Sequence, residues 1–335
     1  MRQLVMEAPS RLRLCEAEEA GPPGAGQVRL RTIMGGICGS DAKVYHGHLR
    51  HAMYPVRPGH ELVARVVEVG AGVDLAPGDR VVIIPNTYCG ECAPCRRGQT
   101  NVCVRKASIG INAPGGFAED WVVEAKYAVP VPDEVSDVEA AMVEPFAVAW
   151  HAVHRARVAA GDGVLILGSG TEGALCALLA QSLGARVTAA DVREDRLAFL
   201  RAIVPGVRTA LVSELEADAY ALVVEAAGTP EAIATAVACV QPGGSIVAVG
   251  LAEEARLPMQ VFVRKEASLL GSIIYVRQDF VDALARLKGD PALRQAFDKL
   301  CAGVWPLEAY ADAYHHALSG KPGKAIIAFE GGAAR

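Results

Sequence analysis

Residues 35–61 read GGICGSDAKVYHGHLRHAMYPVRPGHE, and the rest of the chain is organised around this stretch. Cys38 offers a thiolate, His60 an imidazole and Glu61 a carboxylate, a mixture of ligands that suits zinc. Three protein ligands and one open position are typical of a catalytic zinc, which needs room for a substrate. Ser40 follows Cys38 by two residues, so we expect its hydroxyl to reach an alcohol at the metal. A single cysteine is more often a small buried hydrophobic residue, so the downstream sequence has to support the zinc site.

The composition bounds the class of protein. At 335 residues, with 52% hydrophobic and 21% charged residues, the chain predicts a globular protein of two domains. A net charge of -5 gives no electrostatic reason to expect nucleic acid or an anionic membrane as a partner. The start of the chain lacks the apolar segment of a signal peptide, which favours the cytoplasm. We therefore interpret the nine cysteines as metal ligands and buried thiols rather than disulfides.

The first part of the chain predicts short strands separated by turns rich in Gly and Pro. These predicted strands are Leu4–Met6, Gln27–Ile33, Leu62–Val69 and Val81–Ile84. Short strands at close spacing favour a small β-barrel. After them, Val135–Trp150 is predicted to be helical, with an interruption at residues 143–145.

Four cysteines interrupt this region within fifteen positions. Their thiolates can close a tetrahedral shell that leaves no place for a substrate, which predicts a structural zinc. The alternatives are a pair of disulfides or an iron–sulfur cluster, and a cytosolic context disfavours the disulfides. The four residues are Cys89, Cys92, Cys95 and Cys103.

From Gly163 onward, apolar runs alternate with helical segments, which predicts a parallel sheet. The strand Val164–Leu167 is followed by GSGTEG at residues 168–173, then a helix and a strand that ends at Asp191. In this context Gly168, Gly170 and Gly173 form a dinucleotide-binding fingerprint, with the pyrophosphate at the helix N-terminus.

Asp191 can accept both hydroxyls of the adenosine ribose and would repel a 2′-phosphate, so NAD is favoured over NADP. Arg193 and Arg196 would offset part of that repulsion. Further predicted strands include Ala221–Glu225 and Ser268–Ile274, and residues 213–220 are too few for a crossover helix. The predicted tail consists of a helix at Phe280–Leu287, a helix near Leu307–Leu318 and a strand at Ala325–Phe329.

Together, GICGSD at residues 36–41, GHE at 59–61, the four-cysteine lobe and the GSGTEG turn resemble the zinc-dependent medium-chain alcohol and polyol dehydrogenases. The resemblance implies an α/β protein with a GroES-like β-barrel catalytic domain over residues 1–147, including the zinc lobe at 86–105. It also implies a Rossmann domain with a doubly wound parallel sheet over 148–275. The segment 276–335 would return to the catalytic domain.

The resemblance carries roles onto individual residues. Glu144 occupies the place where many relatives have a third cysteine ligand, and relatives acting on polyols and threonine carry an acid there. The alternative interpretation of Glu144 is a carboxylate that only caps the following helix. Arg196 would lie along the adenosine, and Lys324 matches a basic residue near the pyrophosphate, with a solvated lysine as its alternative. Thr171 and Glu172 complete the predicted cofactor site, and relatives usually carry Val, Ile or Leu in place of Glu172.

The predicted function is reversible oxidation of a secondary alcohol to a ketone by hydride transfer to NAD, with two zinc ions per chain. The substrate would be a small polar alcohol: a polyol, sugar, aminocyclitol or 3-hydroxy amino acid. Ser40 would pass the proton outward, toward Lys43 or His46. We expect a homodimer or homotetramer. The alternative is a redox-silent NAD-binding regulatory or scaffold protein on the same fold, which predicts loss of the catalytic ligands, yet all are present.

Overall fold

The computed structural model describes residues 1–330, so the last five residues of the predicted C-terminal segment lie outside the described part. The chain divides into two units. Unit 1 consists of Met1–Glu144, Val276–Arg294 and the chain from Cys301 onward. Unit 2 consists of Pro145–Tyr275 and Gln295–Leu300.

The N-terminal part of the chain holds seven strands and three short helices. They are β1 (Arg2–Ala8), β2 (Arg11–Glu16), β3 (Gln27–Gly36), α1 (Gly39–Tyr45), β4 (Glu61–Val69), β5 (Arg80–Ile83), α2 (Ala93–Arg96), β6 (Asp120–Glu124), β7 (Ala128–Pro130) and α3 (Asp137–Ala140).

The next part alternates strands with helices. Its elements are α4 (Val143–Arg155), β8 (Gly163–Leu167), α5 (Thr171–Ser182), β9 (Arg186–Asp191), α6 (Glu194–Ile203), β10 (Arg208–Leu211), β11 (Tyr220–Glu225), α7 (Pro230–Cys239), β12 (Val240–Ala248), α8 (Met259–Arg264) and β13 (Ser268–Gly271). The tail adds α9 (Arg277–Gly289), α10 (Pro291–Asp298), β14 (Cys301–Pro306), α11 (Tyr310–Leu318) and β15 (Lys324–Ala328).

Unit 1 is built on a seven-stranded sheet in which β14, β15, β3, β4, β5 and β7 follow one another and β6 pairs with β3. All pairs are antiparallel except β14 with β15. A buried polar contact fixes β3 inside this sheet: the Thr32 hydroxyl donates to the Gly116 carbonyl and accepts from the Trp121 indole. Because β15 pairs with β3, residues 326–328 lie directly beside the strand that leads to Cys38.

Unit 2 carries a six-stranded sheet in the order β10, β9, β8, β11, β12, β13, and every pair is parallel. In chain order this is 3-2-1-4-5-6, the doubly wound dinucleotide-binding arrangement. The order reverses between β8 and β11, and the glycine-rich turn follows β8 at that point. The short connection predicted between β10 and β11 is confirmed, since a 3-10 turn at Val212–Glu214 replaces a helix there.

Several predicted boundaries were wrong. The predicted interruption at residues 143–145 is the start of α4, because Pro145 lies in the first turn, where its missing N–H is not needed. The strand predicted over Ser268–Ile274 ends at Gly271, and Ile274 has a positive φ of 41°. The predictions also missed β2, in which Leu12 and Leu14 alternate with Arg11 and Arg13, and the two tail elements α10 and β14. Over residues 1–330 no helix combines the length and apolarity needed to cross a membrane.

Candidate catalytic zinc site and dinucleotide site

Pairing of β3 with β4 brings together the two halves of the metal-binding stretch. The antiparallel register sets Gly36, the last residue of β3, opposite Glu61, the first residue of β4. Cys38 then caps the N-terminus of α1, and His60 immediately precedes β4. The donor atoms of Cys38, His60 and Glu61 all lie within 4.8 Å of one another. The sequence alone places Cys38 more than twenty positions before His60 and Glu61, and the sheet register makes them neighbours.

A glycine is required at position 36 by the close approach of the Glu61 carboxylate. A Cβ at Gly36 would come within 2.2 Å of Glu61 Oε2. That oxygen is buried and has no hydrogen-bond partner within the described chain. A buried carboxylate oxygen without a partner is costly unless a ligand completes it, so the residues fit a metal ion.

Asp41 belongs to this site, although the sequence reasoning did not single it out. Its Oδ2 accepts the backbone N–H of Cys38, and its Oδ1 lies 3.7 Å from His60 Nδ1. The Ser40 hydroxyl lies 3.1 Å from the other ring nitrogen, Nε2. A carboxylate behind a ligating histidine orients the ring and fixes its tautomer. An acid directly after Ser40 in the motif was the available signal, and its burial became visible only in the fold.

Lys324 is held at the metal site by Glu61. Its ammonium donates to Glu61 Oε1 at 2.7 Å and to the Ile37 carbonyl at 3.3 Å, and the lysine is 5% exposed. Strand β15 brings it there through its pairing with β3. Lys324 is therefore not the solvated lysine considered as the alternative. Its contact with a cofactor pyrophosphate stays a prediction.

The charges around the site leave room for a divalent cation. Cys38, Asp41 and Glu61 are three acidic groups within electrostatic reach of the single lysine, Lys324. Burial, followed by the charge of Glu61, raises the pKa of the Cys38 thiol.

His60 responds to the same charges. Burial opposes its charged form, but the carboxylate of Asp41 and then the thiol of Cys38 outweigh burial and raise the pKa of His60 well above its usual value. Glu144 adds to this effect, so its buried carboxylate lies within electrostatic reach of the ring. Its oxygens nevertheless stand outside the group of donor atoms within 4.8 Å of one another.

The predicted proton relay is less well placed than the ligands. Lys43 lies on the exposed side of α1, and His46 is the exposed residue that ends this helix. In residues 1–330 neither side chain makes a hydrogen bond with Ser40. The relay from Ser40 toward Lys43 or His46 therefore stays a prediction.

The four-cysteine lobe forms a closed sulfur cluster. Cys89 Sγ lies 4.0 Å from Cys95 Sγ and 3.6 Å from Cys103 Sγ, and Cys92 Sγ lies 3.9 Å from Cys103 Sγ. A tetrahedron with zinc–sulfur bonds of about 2.3 Å has edges of about 3.8 Å. A disulfide bond of about 2.0 Å is excluded by the same distances. Backbone N–H groups, that of Glu91 above all, lower the pKa of the Cys89 thiol to about 6, which favours the ligating thiolate.

In unit 2, each glycine of the GSGTEG turn has its own structural reason. Gly168 has a φ of 94°, and a Cβ there would meet the backbone of Ala227 at 2.8 Å. A Cβ at Gly173 would lie 1.7 Å from the Gly168 carbonyl, so α5 could not pack against the turn. A Cβ at Gly170 would meet nothing within 4 Å. This open side of the turn, at the N-terminus of α5, fits the pyrophosphate of a dinucleotide.

Asp191 ends β9 beside this turn. Its Oδ2 accepts the backbone N–H of Ser169 at 2.7 Å, and its Oδ1 accepts that of Arg193 at 3.0 Å. Each carboxylate oxygen keeps a further acceptor position for a ribose hydroxyl. Arg196 Nη1 lies 3.7 Å from Asp191 Oδ2, while the Arg193 guanidinium pairs with Asp195 instead.

Glu172 lies in the first turn of α5 and is half-buried. Its charge contributes, after burial, to raising the pKa of the Cys176 thiol one helical turn further on. The carboxylate is therefore close to Cys176, on the side of α5 that packs into unit 2. Its predicted effect on the nicotinamide stays a prediction, as does the contact of Thr171 with the cofactor.

Comparisons with known proteins match both units. Residues 24–133 match the alcohol dehydrogenase GroES-like domain, and residues 173–289 match the zinc-binding dehydrogenase domain. The 2-dehydro-3-deoxy-L-galactonate 5-dehydrogenase of Pseudoalteromonas atlantica is 34% identical over 77% of this chain and 79% of its own. The L-threonine 3-dehydrogenase of Coxiella burnetii is 32% identical over 92% of this chain and 93% of its own.

Solved structures agree with this. An alcohol dehydrogenase from Escherichia coli CFT073, complexed with NADH, superposes with a TM-score of 0.89 at 29% identity, covering 98% of this chain and 99% of its own. The predicted fold class, a GroES-like domain with a Rossmann domain, is confirmed.

Proposed function

Because the chain belongs to the zinc-dependent medium-chain dehydrogenases, an oxidoreductase family acting on CH–OH groups with NAD(P), we propose that it oxidises a polar secondary alcohol at Cys38 and His60. The observation that carries this proposal is the buried group of Cys38, His60 and Glu61, whose donor atoms lie within 4.8 Å of one another. A redox-silent descendant of the fold has no need to keep such a set.

Cys38 and His60 would hold the catalytic zinc with a carboxylate as third ligand. Glu61 has a carboxylate oxygen within 4.8 Å of the Cys38 and His60 donor atoms, and Lys324 occupies one of its two oxygens. Glu144 is the second acid, and its charge reaches His60. We propose that Glu61 completes the zinc shell through Oε2, which has no partner within the described chain, with Glu144 as the second acid available to the metal. When bound, zinc supplies a Lewis acid that lowers the pKa of an alcohol, and NAD accepts the hydride.

The chain's own groups would then orient the site and move the proton. Asp41 faces His60 Nδ1 and would leave Nε2 as the nitrogen available to a metal. Ser40 lies beside Nε2, where its hydroxyl could accept the proton of the substrate alcohol while passing its own proton on to solvent. Burial of the ligands excludes bulk water from their far side.

We propose NAD as the preferred cofactor. Asp191 is buried at the end of β9 and turns its carboxylate toward the glycine-rich turn. A 2′-phosphate would place a second anion against it, with Arg196 as the nearest cation at 3.7 Å.

The substrate class is proposed from the acidic donor set and from the relatives. A carboxylate in place of a second thiolate makes the site harder and more polar. The two relatives are named for a sugar-acid derivative and for threonine, both polar secondary alcohols. A polyol, sugar acid, aminocyclitol or 3-hydroxy amino acid is therefore the proposed substrate.

A screen of NADH formation tests this proposal. Polyols, sugar acids, aminocyclitols and threonine are offered to the zinc-loaded protein, with the Cys38→Ser variant as the matched control. Turnover of a polar secondary alcohol by the parent and loss of it in the variant are expected. Equal rates in the two proteins would contradict the zinc assignment.

We also propose a homodimer or homotetramer. Strand β13 is an edge of the unit 2 sheet and exposes Leu269, and the neighbouring α8 exposes Met259, Val261 and Val263. An apolar sheet edge favours pairing with a second copy. The cytoplasm is the proposed compartment, because metal-ligand thiols need a reducing environment and all nine cysteines are free.

A further inference from the structure

Unit 1 contains a cavity of about 350 Å³ that shares no lining residue with the zinc site. It opens between β1, the segment before His60 and the loop at residues 112–114. Its walls are largely apolar and include Val5, Val56 and Pro114. The volume falls at the lower end of the range of about 300–1,000 Å³ that is typical of small-molecule sites.

Two side chains that line this cavity are carboxamides whose oxygens each accept a hydrogen bond from another part of the protein. Gln3 Oε1 accepts from Arg57 Nη1 at 3.1 Å, and Asn112 Oδ1 accepts from the backbone N–H of Ser108 at 2.7 Å. Both carboxamides therefore keep their NH₂ groups for a ligand. The lining contains no carboxylate. A ligand in this cavity would meet donors and apolar surface.

Arg57 supplies a cation without a counter-ion. Its Nε donates to the Gly115 carbonyl, and across residues 1–330 its guanidinium forms no ion pair with a carboxylate. Burial lowers the pKa of Arg57, as expected where no anion offsets the lost hydration. Nη2 and one N–H of Nη1 remain to form the two parallel hydrogen bonds that guanidinium makes with a carboxylate.

We propose that this cavity is a second ligand site, which binds a small organic carboxylate. The carboxylate lies on the Arg57 guanidinium and the amides of Gln3 and Asn112. The hydrocarbon part packs against Val5 and Val56.

This site adjoins the segment that carries a zinc ligand. The carbonyls of Arg57, Pro58 and Gly59 accept backbone N–H groups from residues 115–117, and His60 follows immediately. A ligand on Arg57 therefore stabilises the segment that ends at His60, and its binding is measurable as stabilisation of the whole protein.

The test is calorimetric titration of the zinc-loaded protein with butyrate, and with butyramide as its neutral analogue of the same shape. We expect saturable butyrate binding and at least tenfold weaker butyramide binding. An open zinc site also attracts carboxylates, so the titration is repeated with Cys38→Ser. We expect Cys38→Ser to bind butyrate with an affinity within twofold of the parent. Loss of butyrate binding in Cys38→Ser would assign the binding to zinc and overturn the proposal.

Three variants locate the site. Arg57→Gln should weaken butyrate binding at least tenfold, whereas Arg13→Gln, at an arginine whose side chain is 65% exposed, should leave it unchanged. Arg57 also donates a hydrogen bond to the Gly115 carbonyl, so Arg57→Gln could disturb folding as well as binding. Ala113→Phe keeps the arginine and fills the cavity, and it should abolish binding. Butyrate binding that survives Ala113→Phe, or equal binding of butyramide by the parent, would overturn the proposal.

Discussion

Replacing Lys324 by methionine is expected to destabilise unit 1 strongly. The ammonium lies 2.7 Å from Glu61 Oε1, with 5% of the lysine side chain and 0% of the glutamate side chain exposed. At this distance and an effective dielectric near 20, the attraction is about 6 kcal/mol before desolvation. Removing one partner of a buried pair leaves a buried charge and typically costs roughly 3–5 kcal/mol. The free energy of unfolding of unit 1 should fall by that amount.

The measurement needs a signal from unit 1. It also needs protein without zinc at the Cys38 and His60 site, because a divalent cation there would offset the charge of Glu61. Urea unfolding is followed by tryptophan fluorescence in a Trp150→Phe background, which leaves Trp121 and Trp305 of unit 1 as reporters. Lys288→Met is the control, because Lys288 and Glu134 pair 3.5 Å apart with side chains 56% and 47% exposed. A pair of that kind contributes about 0–1 kcal/mol.

The double variant Glu61→Gln with Lys324→Met completes the cycle. Removing both charges leaves a neutral amide in place of the carboxylate, so at least half of the lost stability should return. The reasoning is refuted if Lys324→Met costs no more than Lys288→Met, or if Glu61→Gln fails to restore stability.

Three further predictions concern the metals and the cofactor. Elemental analysis should find two zinc ions per chain. Cys38→Ser should lose one zinc together with activity, whereas Cys95→Ser should lose the other and destabilise unit 1. A single metal ion per active chain would contradict this prediction. Asp191→Gly should narrow or reverse the preference for NAD, measured as the ratio of kcat/KM for the two cofactors, and a parent that turns over NADP faster would contradict the assignment. Glu172→Val should shift the ratio of NAD⁺ to NADH affinity toward NADH. The change in relative binding free energy should be at most about 3 kcal/mol, the value for a unit charge pair at about 5 Å. An unchanged ratio would mean that Glu172 is only a charge at the helix end.

Local sequence patterns predicted those parts of the fold that depend on interactions between residues close together in the sequence. The GSGTEG turn followed a predicted strand and opened a helix, and β8, the turn and α5 follow in that order. The spacing of the four cysteines predicted the sulfur cluster for the same reason, since all four lie within one short loop. Element boundaries were less predictable, as at β13, where the strand predicted over Ser268–Ile274 ends at Gly271.

The sequence by itself determined which ligand types the protein has and, through two short motifs, that Cys38 and His60 serve one site. Only the tertiary structure decided the surroundings of that site. Glu61 and Lys324 are 263 positions apart, and they meet because β15 pairs with β3 while β3 pairs with β4. Arg57 gained its cavity in the same way, from β1 and the loop at 112–114. Local spacing predicts which residues can share a turn, whereas charge pairing and burial depend on strands that come together across the whole chain.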